Sequence, residues 1–351
     1  MKAKLISGSV AAAGMVATLG ACGGGASAGE SSALASAQGA GRGHREAFVY
    51  DSFERPGGYT QADYDRKWTM TFGPGEMAVE DTRRFADGEF SVSAVPFRTS
   101  ADLSVFDHIK YFAASTRSFD VPRRGSITFK ADIDVRTPGT EPGRVIHGTY
   151  GPPGSYPNGA PYAASTYEGQ QAAATLHMID FTTGQLFDWF VSGRRAFTLI
   201  ERLPSSLTGS PIPAGRDQMY TQIIDEIPIT PGPHQVAITL TRGDGKLSVQ
   251  YRLDGRKVSQ VSDVGVPLDV QGVRFTGTYP SLGRGEKLVD RLDSVAIGHG
   301  LFSLLDAFPF QHPEAPELSV SIPTSQRIFG QGAAAKFGKF TVEIDSLPAG
   351  D

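Results

Sequence analysis

An all-β chain folded as an antiparallel β-sandwich is what this sequence predicts, and three observations carry the prediction. The first is period-two alternation, clearest between His234 and Val261, HQVAITLTRGDGKLSVQYRLDGRKVSQV. There Val236, Ile238 and Leu240 alternate with Ala237, Thr239 and Thr241, and Leu247, Val249, Tyr251 and Leu253 alternate with Ser248, Gln250 and Arg252. Such alternation buries one face of each strand and leaves the other wetter. The second is turn chemistry. Asp244-Gly245 and Asp254-Gly255 punctuate these runs, and glycine accepts positive φ without a Cβ clash. The 42 glycines and 23 prolines suit a sheet protein full of turns. The third is the lack of any convincing long helix against about a dozen strand candidates, with no repeat at a fixed period.

The chain opens on an address. Lys2 and Lys4 precede a mostly apolar or small stretch, Leu5 to Leu19, and then comes LGAC, ending at Cys22. Charge, length and small-residue cleavage site make this a signal peptide, and the run is too short and glycine-rich to be a good spanning helix. LGAC resembles the lipobox of bacterial lipoproteins. That resemblance implies lipid on the Cys22 thiol and cleavage before it, so residues 1–21 are read as a lipoprotein signal peptide. Two or three acyl chains, at about 0.8 kcal/mol per buried methylene, would hold the protein at a membrane. Residues 22–46 then form the anchor site and a Gly/Ala/Ser tether without apolar period, expected to stay disordered with a mean reach of roughly 25–30 Å. The expected location is therefore the bacterial cell envelope. Cys22 is the chain's one cysteine, so no intramolecular disulfide can form. Without residues 1–21 the chain has 31 basic against 37 acidic groups, a charge of -6, which argues against non-specific nucleic-acid binding.

The sandwich is expected over residues 47–310, with residues 311–351 adding C-terminal strands that pack on it. AFVYDSFERPGGY begins the domain with a strand and a Pro-Gly-Gly turn; Trp68 in KWTMTF and the alternating Phe90, Val92 and Ala94 follow. Asp102 to Ala113 is ambiguous between helical spacing and strand surroundings. Ser126 to Arg136 is the cleanest strand, with Ile127, Phe129, Ala131, Ile133 and Val135 on one face. Pro138 to Gly169 is Pro/Gly-rich and reads as a long functional loop. ATLHMIDFTTGQLFDWFV then predicts a hairpin about Thr183-Gly184. Its register places Met178, Asp180, Phe187 and Trp189 on one face and His177, Ile179, Asp188 and Phe190 on the other. Apolar groups on both faces suit central strands covered on both sides. RAFTLIERL, Gln218 to Ile224, the opening meander, GVRFTGTY, RLDSVAIG, LSVSIP and KFTVEI supply the remaining strands, with a short helix or turn in Leu301 to Phe310.

The order of these patterns, YDSF, then SFDVPRRGSITFKADIDV, then GPHQVAITLTRGDGKLSVQYRLDGRKV, then RLDSVAIG, resembles the concanavalin A-like lectin/glucanase sandwich, a jelly-roll, over residues 47–300. The whole also looks like an uncharacterised family of bacterial secreted lipoproteins. The superfamily resemblance implies glycan binding, peptide binding or glucanase activity, and fold does not choose among them. The glucanase signature Glu-x-Asp-x-(x)-Glu has one partial match, Glu343-Ile344-Asp345, and its third carboxylate would fall on Leu347 or Pro348. No catalytic residue is assigned on that basis.

Other constellations in the chain have ordinary structural readings beside the functional ones. Glu168 and Glu226 form a carboxylate pair only if the fold joins them, and otherwise are solvated loop acids. His177 and Asp188 share a hairpin face, and with His147 could ligate a metal, but no HxH or HExxH spacing supports this, and a hydrogen-bonded buried pair is the ordinary reading. Asp102, Asp107, Asp290 and Asp293 are the candidate calcium ligands, as in some related sandwiches; no loop has the dense alternating acids of an EF-hand, so no cofactor is assigned. GQGAAAKFGK lacks phosphate-loop spacing, and no G-x-S-x-G is present. The strongest binding signal is aromatic. Tyr150, Tyr156, Tyr162 and Tyr167 precede the hairpin of His177, Asp188 and Trp189, and aromatic faces suit sugar rings and peptides, although tyrosines also pin loops to sheets.

The expected function is that of a lipid-anchored envelope protein whose lectin-like domain binds a glycan or an envelope partner. A diverged carbohydrate-active hydrolase with a non-standard carboxylate pair, and a non-catalytic structural protein, are the alternatives.

Overall fold

The computed structural model describes residues 43–69, 82–99, 108–151, 159–204, 208–212, 214–279, 281–307 and 319–348. In chain order the strands are β1 (His44–Asp51), β2 (Trp68–Thr69), β3 (Thr82–Ala86), β4 (Glu89–Ala94), β5 (Ile109–Ser115), β6 (Phe119–Asp120) and β7 (Gly125–Arg136). Next come β8 (Val145–Tyr150), β9 (Pro161–Ser165), β10 (Ala173–Asp180), β11 (Gln185–Val191), β12 (Arg195–Arg202) and β13 (Tyr220–Pro228). The series ends with β14 (His234–Gly243), β15 (Lys246–Leu253), β16 (Arg256–Val261), β17 (Thr276–Tyr279), β18 (Ser294–Phe302), β19 (Val320–Ser321) and β20 (Ala333–Ser346). Short helices interrupt them: α1 (Gln61–Lys67), α2 (Glu168–Gln171), a 3-10 turn at Leu304–Ala307, and α3 (Thr324–Arg327).

Two large antiparallel sheets build the sandwich. The first runs β16-β15-β14-β7-β20-β4-β3, with β1 also on β20; the second runs β17-β13-β12-β11-β10-β18-β5-β2, with β6 on β18. The expected meander is β14-β15-β16, and its turn residues Asp244 and Asp254 both take positive φ. Alternation does the sorting. From the first sheet Ile127, Phe129, Val236, Ile238, Val249 and Val342 point inward, and they meet Leu176, Met178, Phe187, Trp189 and Ile297 of the second in one buried core. Burying side chains of this size contributes about 1.5–3 kcal/mol each. Hydrogen bonds tie the sheets across it, among them Trp189 Nε1 donating to the Ala237 carbonyl at 3.0 Å and the Tyr251 hydroxyl to the Leu199 carbonyl at 2.8 Å.

Three features depart from the pattern reading. The C-terminal strand is not an addition packed on a finished sandwich. β20 lies inside the first sheet, paired with β7 along one edge and with β4 and β1 along the other, because its inward Ala335, Phe337, Phe340 and Val342 complete the core. The Pro138–Gly169 region is not one loop: β8 and β9 form a hairpin that joins β19 in a three-stranded sheet over Ile146, Leu305, Val320 and Ile322. The ambiguous Asp102–Ala113 segment ends as strand from Ile109, and its earlier part lies outside the described residues.

α1 was legible in principle. Thr60 and Asp63 make a capping box: the Thr60 hydroxyl accepts from the Asp63 amide at 3.2 Å, and the Asp63 carboxylate accepts from the Thr60 amide at 2.9 Å. The buried Asp51 of YDSF fastens this helix to β1. One carboxylate oxygen accepts from Lys67 Nζ at 2.9 Å and the Phe53 amide at 3.1 Å; the other accepts from the Tyr59 hydroxyl at 2.7 Å and Trp68 Nε1 at 2.8 Å.

Candidate functional site

The hairpin about Thr183-Gly184 forms in the expected register, with His177 opposite Asp188, Met178 opposite Phe187 and Leu176 opposite Trp189. Leu176, Met178, Phe187 and Trp189 face the first sheet. His177 and Asp188 therefore lie on the outer face of the second sheet, where pairing carries one row of side chains across seven strands: Thr276, Ile223, Leu199, Asp188, His177, Gly298 and Ala114.

That face is largely apolar and covered, with Ile109, Phe112, Ile179, Leu186, Phe190, Phe197, Leu199, Ile223 and Phe302 forming a second cluster. A chain of polar groups crosses it. The Thr175 hydroxyl is 2.6 Å from His177 Nε2, and His177 Nδ1 is 2.5 Å from Asp188 Oδ1. All three side chains are buried, and the second Asp188 oxygen has no hydrogen-bond partner. Glu201 of β12 belongs to the same face, opposite Leu186 and Thr221, and accepts the Thr221 hydroxyl at 2.9 Å. Asp188 and Glu201 are thus diagonal neighbours on adjacent strands, a relation that spaces backbones by roughly 7–8 Å.

The electrostatics favour neutral forms. Burial pulls the His177 imidazole down to about 3 and pushes the Asp188 carboxyl well above the usual carboxylate range. A neutral imidazole satisfies both contacts when Nδ1–H donates to Asp188 and Nε2 accepts from Thr175. Burial, with the Asp188 charge behind it, pushes the half-buried Glu201 up to about 8 against the lowering effect of the Thr221 bond. A carboxyl in that range holds a proton at neutral pH and can donate it.

The other sequence candidates disperse. Trp189 is a core residue, fully buried between the sheets, because its place in the alternation is one residue on from Asp188. Tyr150 and Tyr162 meet edge to face at 5.5 Å on the small sheet, with Tyr150 still 39% exposed. Tyr167 packs against the outer cluster, its hydroxyl 3.1 Å from Thr276 Oγ1 at the end of the row. Tyr156 and Cys22 lie outside the described residues. Glu168 and Glu226 have separate partners: the Thr137 hydroxyl donates to Glu168 at 2.8 Å, and Arg195 Nε to Glu226 at 3.0 Å. His147 is exposed on β8, away from the hairpin face. Among the described residues no three His, Cys, Asp or Glu side chains converge as a metal site. Asp102 and Asp107 lie outside them, and Asp293 stands 3.8 Å from both Arg123 and Arg242.

Thr175, Glu201 and Thr221 carry no motif that marks them in the sequence. Carrying the hairpin register through the turn at residues 192–195 would have placed Glu201 on the face of Asp188.

Fold and site together define a two-sheet antiparallel sandwich protein with an acid–imidazole row on the outer face of one sheet. Residues 71–346 match DUF6081, a family of unknown function, and the chain belongs to that family. No curated protein matches it. Among solved structures it is similar to β-agarase B from Zobellia galactanivorans, at 12% identity and a TM-score of 0.44, covering 90% of this chain and 97% of that one. It is also similar to an endo-1,3-β-glucanase from Streptomyces sioyaensis, at 10% identity and a TM-score of 0.40, covering 90% and 100%. Peanut lectin is similar at 10% identity and a TM-score of 0.32, covering 88% and 100%.

Proposed function

We propose that this chain is a lipid-anchored envelope protein whose sandwich binds a glycan at the half-buried Glu201 edge of the outer face of its second sheet. The observation that carries the reading is Glu201, half-buried and hydrogen-bonded to Thr221 at the edge of an apolar face, with the buried Thr175–His177–Asp188 chain behind it. A small set of polar groups in an apolar wall is the usual composition of a ligand site. Glu201 is half-buried at its edge, and Tyr167 borders it, offering an aromatic flank for the apolar side of a sugar ring. The anchor rests on the signal peptide and the position of Cys22. A glycan array, followed by titration of any hit against Glu201→Ala, tests the reading. The expected result is saturable binding that the substitution weakens; no binding to any glycan overturns it.

A second reading, acid–base hydrolysis, is favoured by one observation: Asp188 and Glu201 are neighbouring carboxyls, and burial, more than the proximity of Asp188, raises Glu201. Inverting glycosidases hold their two carboxyls roughly 6.5–9.5 Å apart, and that side-chain separation is what the reading requires of Asp188 and Glu201. Release of reducing sugar from a bound glycan, lost in Glu201→Gln, would establish it.

A further inference from the structure

A second site lies on the other sheet. Where β7 ends, the outer face of the first sheet meets the residue 137–142 turn, the turn between β11 and β12, and the connection into β14. Together they enclose a cleft of about 770 Å³.

Among the described residues its charges are not paired with one another. Glu168 lies in it, only 8% exposed. One carboxylate oxygen of Glu168 accepts from the Thr137 hydroxyl at 2.8 Å; the Thr140 hydroxyl, 3.4 Å away, gives its proton to the Thr137 carbonyl at 2.9 Å. No cation stands within ion-pair distance of that carboxylate among the described residues, and the nearby Arg195 is held by Glu226. Gly193 keeps the approach open: a Cβ there would come 3.1 Å from Thr137 Oγ1 and 3.5 Å from Glu168 Oε1. Arg136 and Arg194 line the same cleft, both exposed, and neither makes a side-chain ion pair among the described residues. Asp134 is the second acid of the lining, and three prolines supply apolar wall.

We propose that this cleft binds a small zwitterion of the amino-acid or short-peptide class, with its ammonium on Glu168 and its carboxylate on Arg136 and Arg194. A buried carboxylate carrying only a hydroxyl donor gains most from a cation, because charge-assisted bonds are about twice as strong as neutral ones. A bare amine would satisfy Glu168 but meet two guanidiniums; a bare anion would satisfy the guanidiniums but meet Glu168. A neutral sugar would leave both guanidiniums unused. The cleft also lies at the far end of the sheet from the start of the folded chain: His44 pairs with Ser346 beside Gly125, one β7 length away from Arg136. At about 3.3 Å per residue that is roughly 36 Å.

Calorimetric titration of the full-length chain with alanyl-alanine, its C-terminal amide, its N-acetyl derivative and glucose tests this. Saturable binding of the dipeptide is expected, weaker by about tenfold for the amide and for the acetyl derivative, since each loses one charge-assisted contact. Glu168→Gln should weaken the dipeptide by about the same factor. Arg194→Ala, on an exposed side chain that leaves folding intact, should bring acid and amide towards parity. No saturable heat with the dipeptide overturns the proposal, as does equal binding of acid, amide and acetyl forms, or affinity untouched by both substitutions. Glu201→Ala should leave dipeptide affinity unchanged, so failure here and failure of the glycan reading are separate outcomes.

Discussion

His177 Nδ1 and Asp188 Oδ1 stand 2.5 Å apart on directly opposed positions of neighbouring strands, both side chains out of water. Each exists in that environment only because the other is there. His177→Phe should therefore cost about 1–3 kcal/mol by stranding the Asp188 carboxyl. Removing both, as His177→Phe with Asp188→Leu, should cost less than the two single changes summed. Urea unfolding of the four proteins measures the coupling, and strict additivity would show that the contact does not contribute.

Protonation gives the pair and its neighbour opposite pH signatures. His177 and His299 are both held near 3 by burial, so they stay neutral when folded but take up protons when unfolded below about 6.5. Stability should fall as pH drops from about 6.5 towards 3, and His299→Leu should flatten part of that slope. Thermal melts across this window decide it.

Glu201 works the other way. Its folded carboxyl keeps a proton up to about 8, whereas an unfolded glutamate loses it near 4.3. Its contribution is complete below about 4.3 and declines as pH rises through 8. Glu201→Gln should remove that decline and stabilise the protein at pH 8 relative to the parent. An unchanged melting temperature at pH 8 would contradict the raised value.

Asp51 collects four donors, two from the loop after β1, one from α1 and one from β2, and is 1% exposed. Asp51→Ala leaves the Tyr59 hydroxyl, the Trp68 indole and Lys67 without their acceptor, and should cost about 3–5 kcal/mol. The measurement is denaturant unfolding, with Trp68 fluorescence reporting whether α1 detaches first.

Gly125 opens β7 at φ +124, and a Cβ built there would lie 1.8 Å from the Asp345 carbonyl oxygen. Gly125→Ala should separate β7 from the end of β20 and lower stability by more than the ordinary helix or strand penalty of about 1 kcal/mol. Amide exchange at Asp345 and Ser346 should accelerate.

The anchor has its own test. Cys22→Ser should move the protein from the membrane fraction to the soluble fraction; retention at the membrane would remove the lipobox reading.

Period-two alternation is a local property, so most of the strands, the two faces of β7 and the Thr183-Gly184 register are readable along the chain, whereas β8 and β9, in a Pro/Gly-rich stretch without alternation, are not. A tight turn sets pairing within a few residues, which is why His177 could be placed opposite Asp188 before any fold was known. Which of the two hairpin faces meets the other sheet is not local. Both faces carry apolar groups, and only stacking of the sheets sent Trp189 into the core and left His177 and Asp188 outside. The central place of β20 depends on pairing with strands some 200 and 250 residues earlier in sequence, for which no turn gives a signal. Glu201 and the Glu168 cleft are likewise products of long-range assembly. The chain by itself determined its strands, its turns and its expected address; tertiary structure decided which side chains share a surface, because faces are assigned by packing between sheets and not by alternation within them.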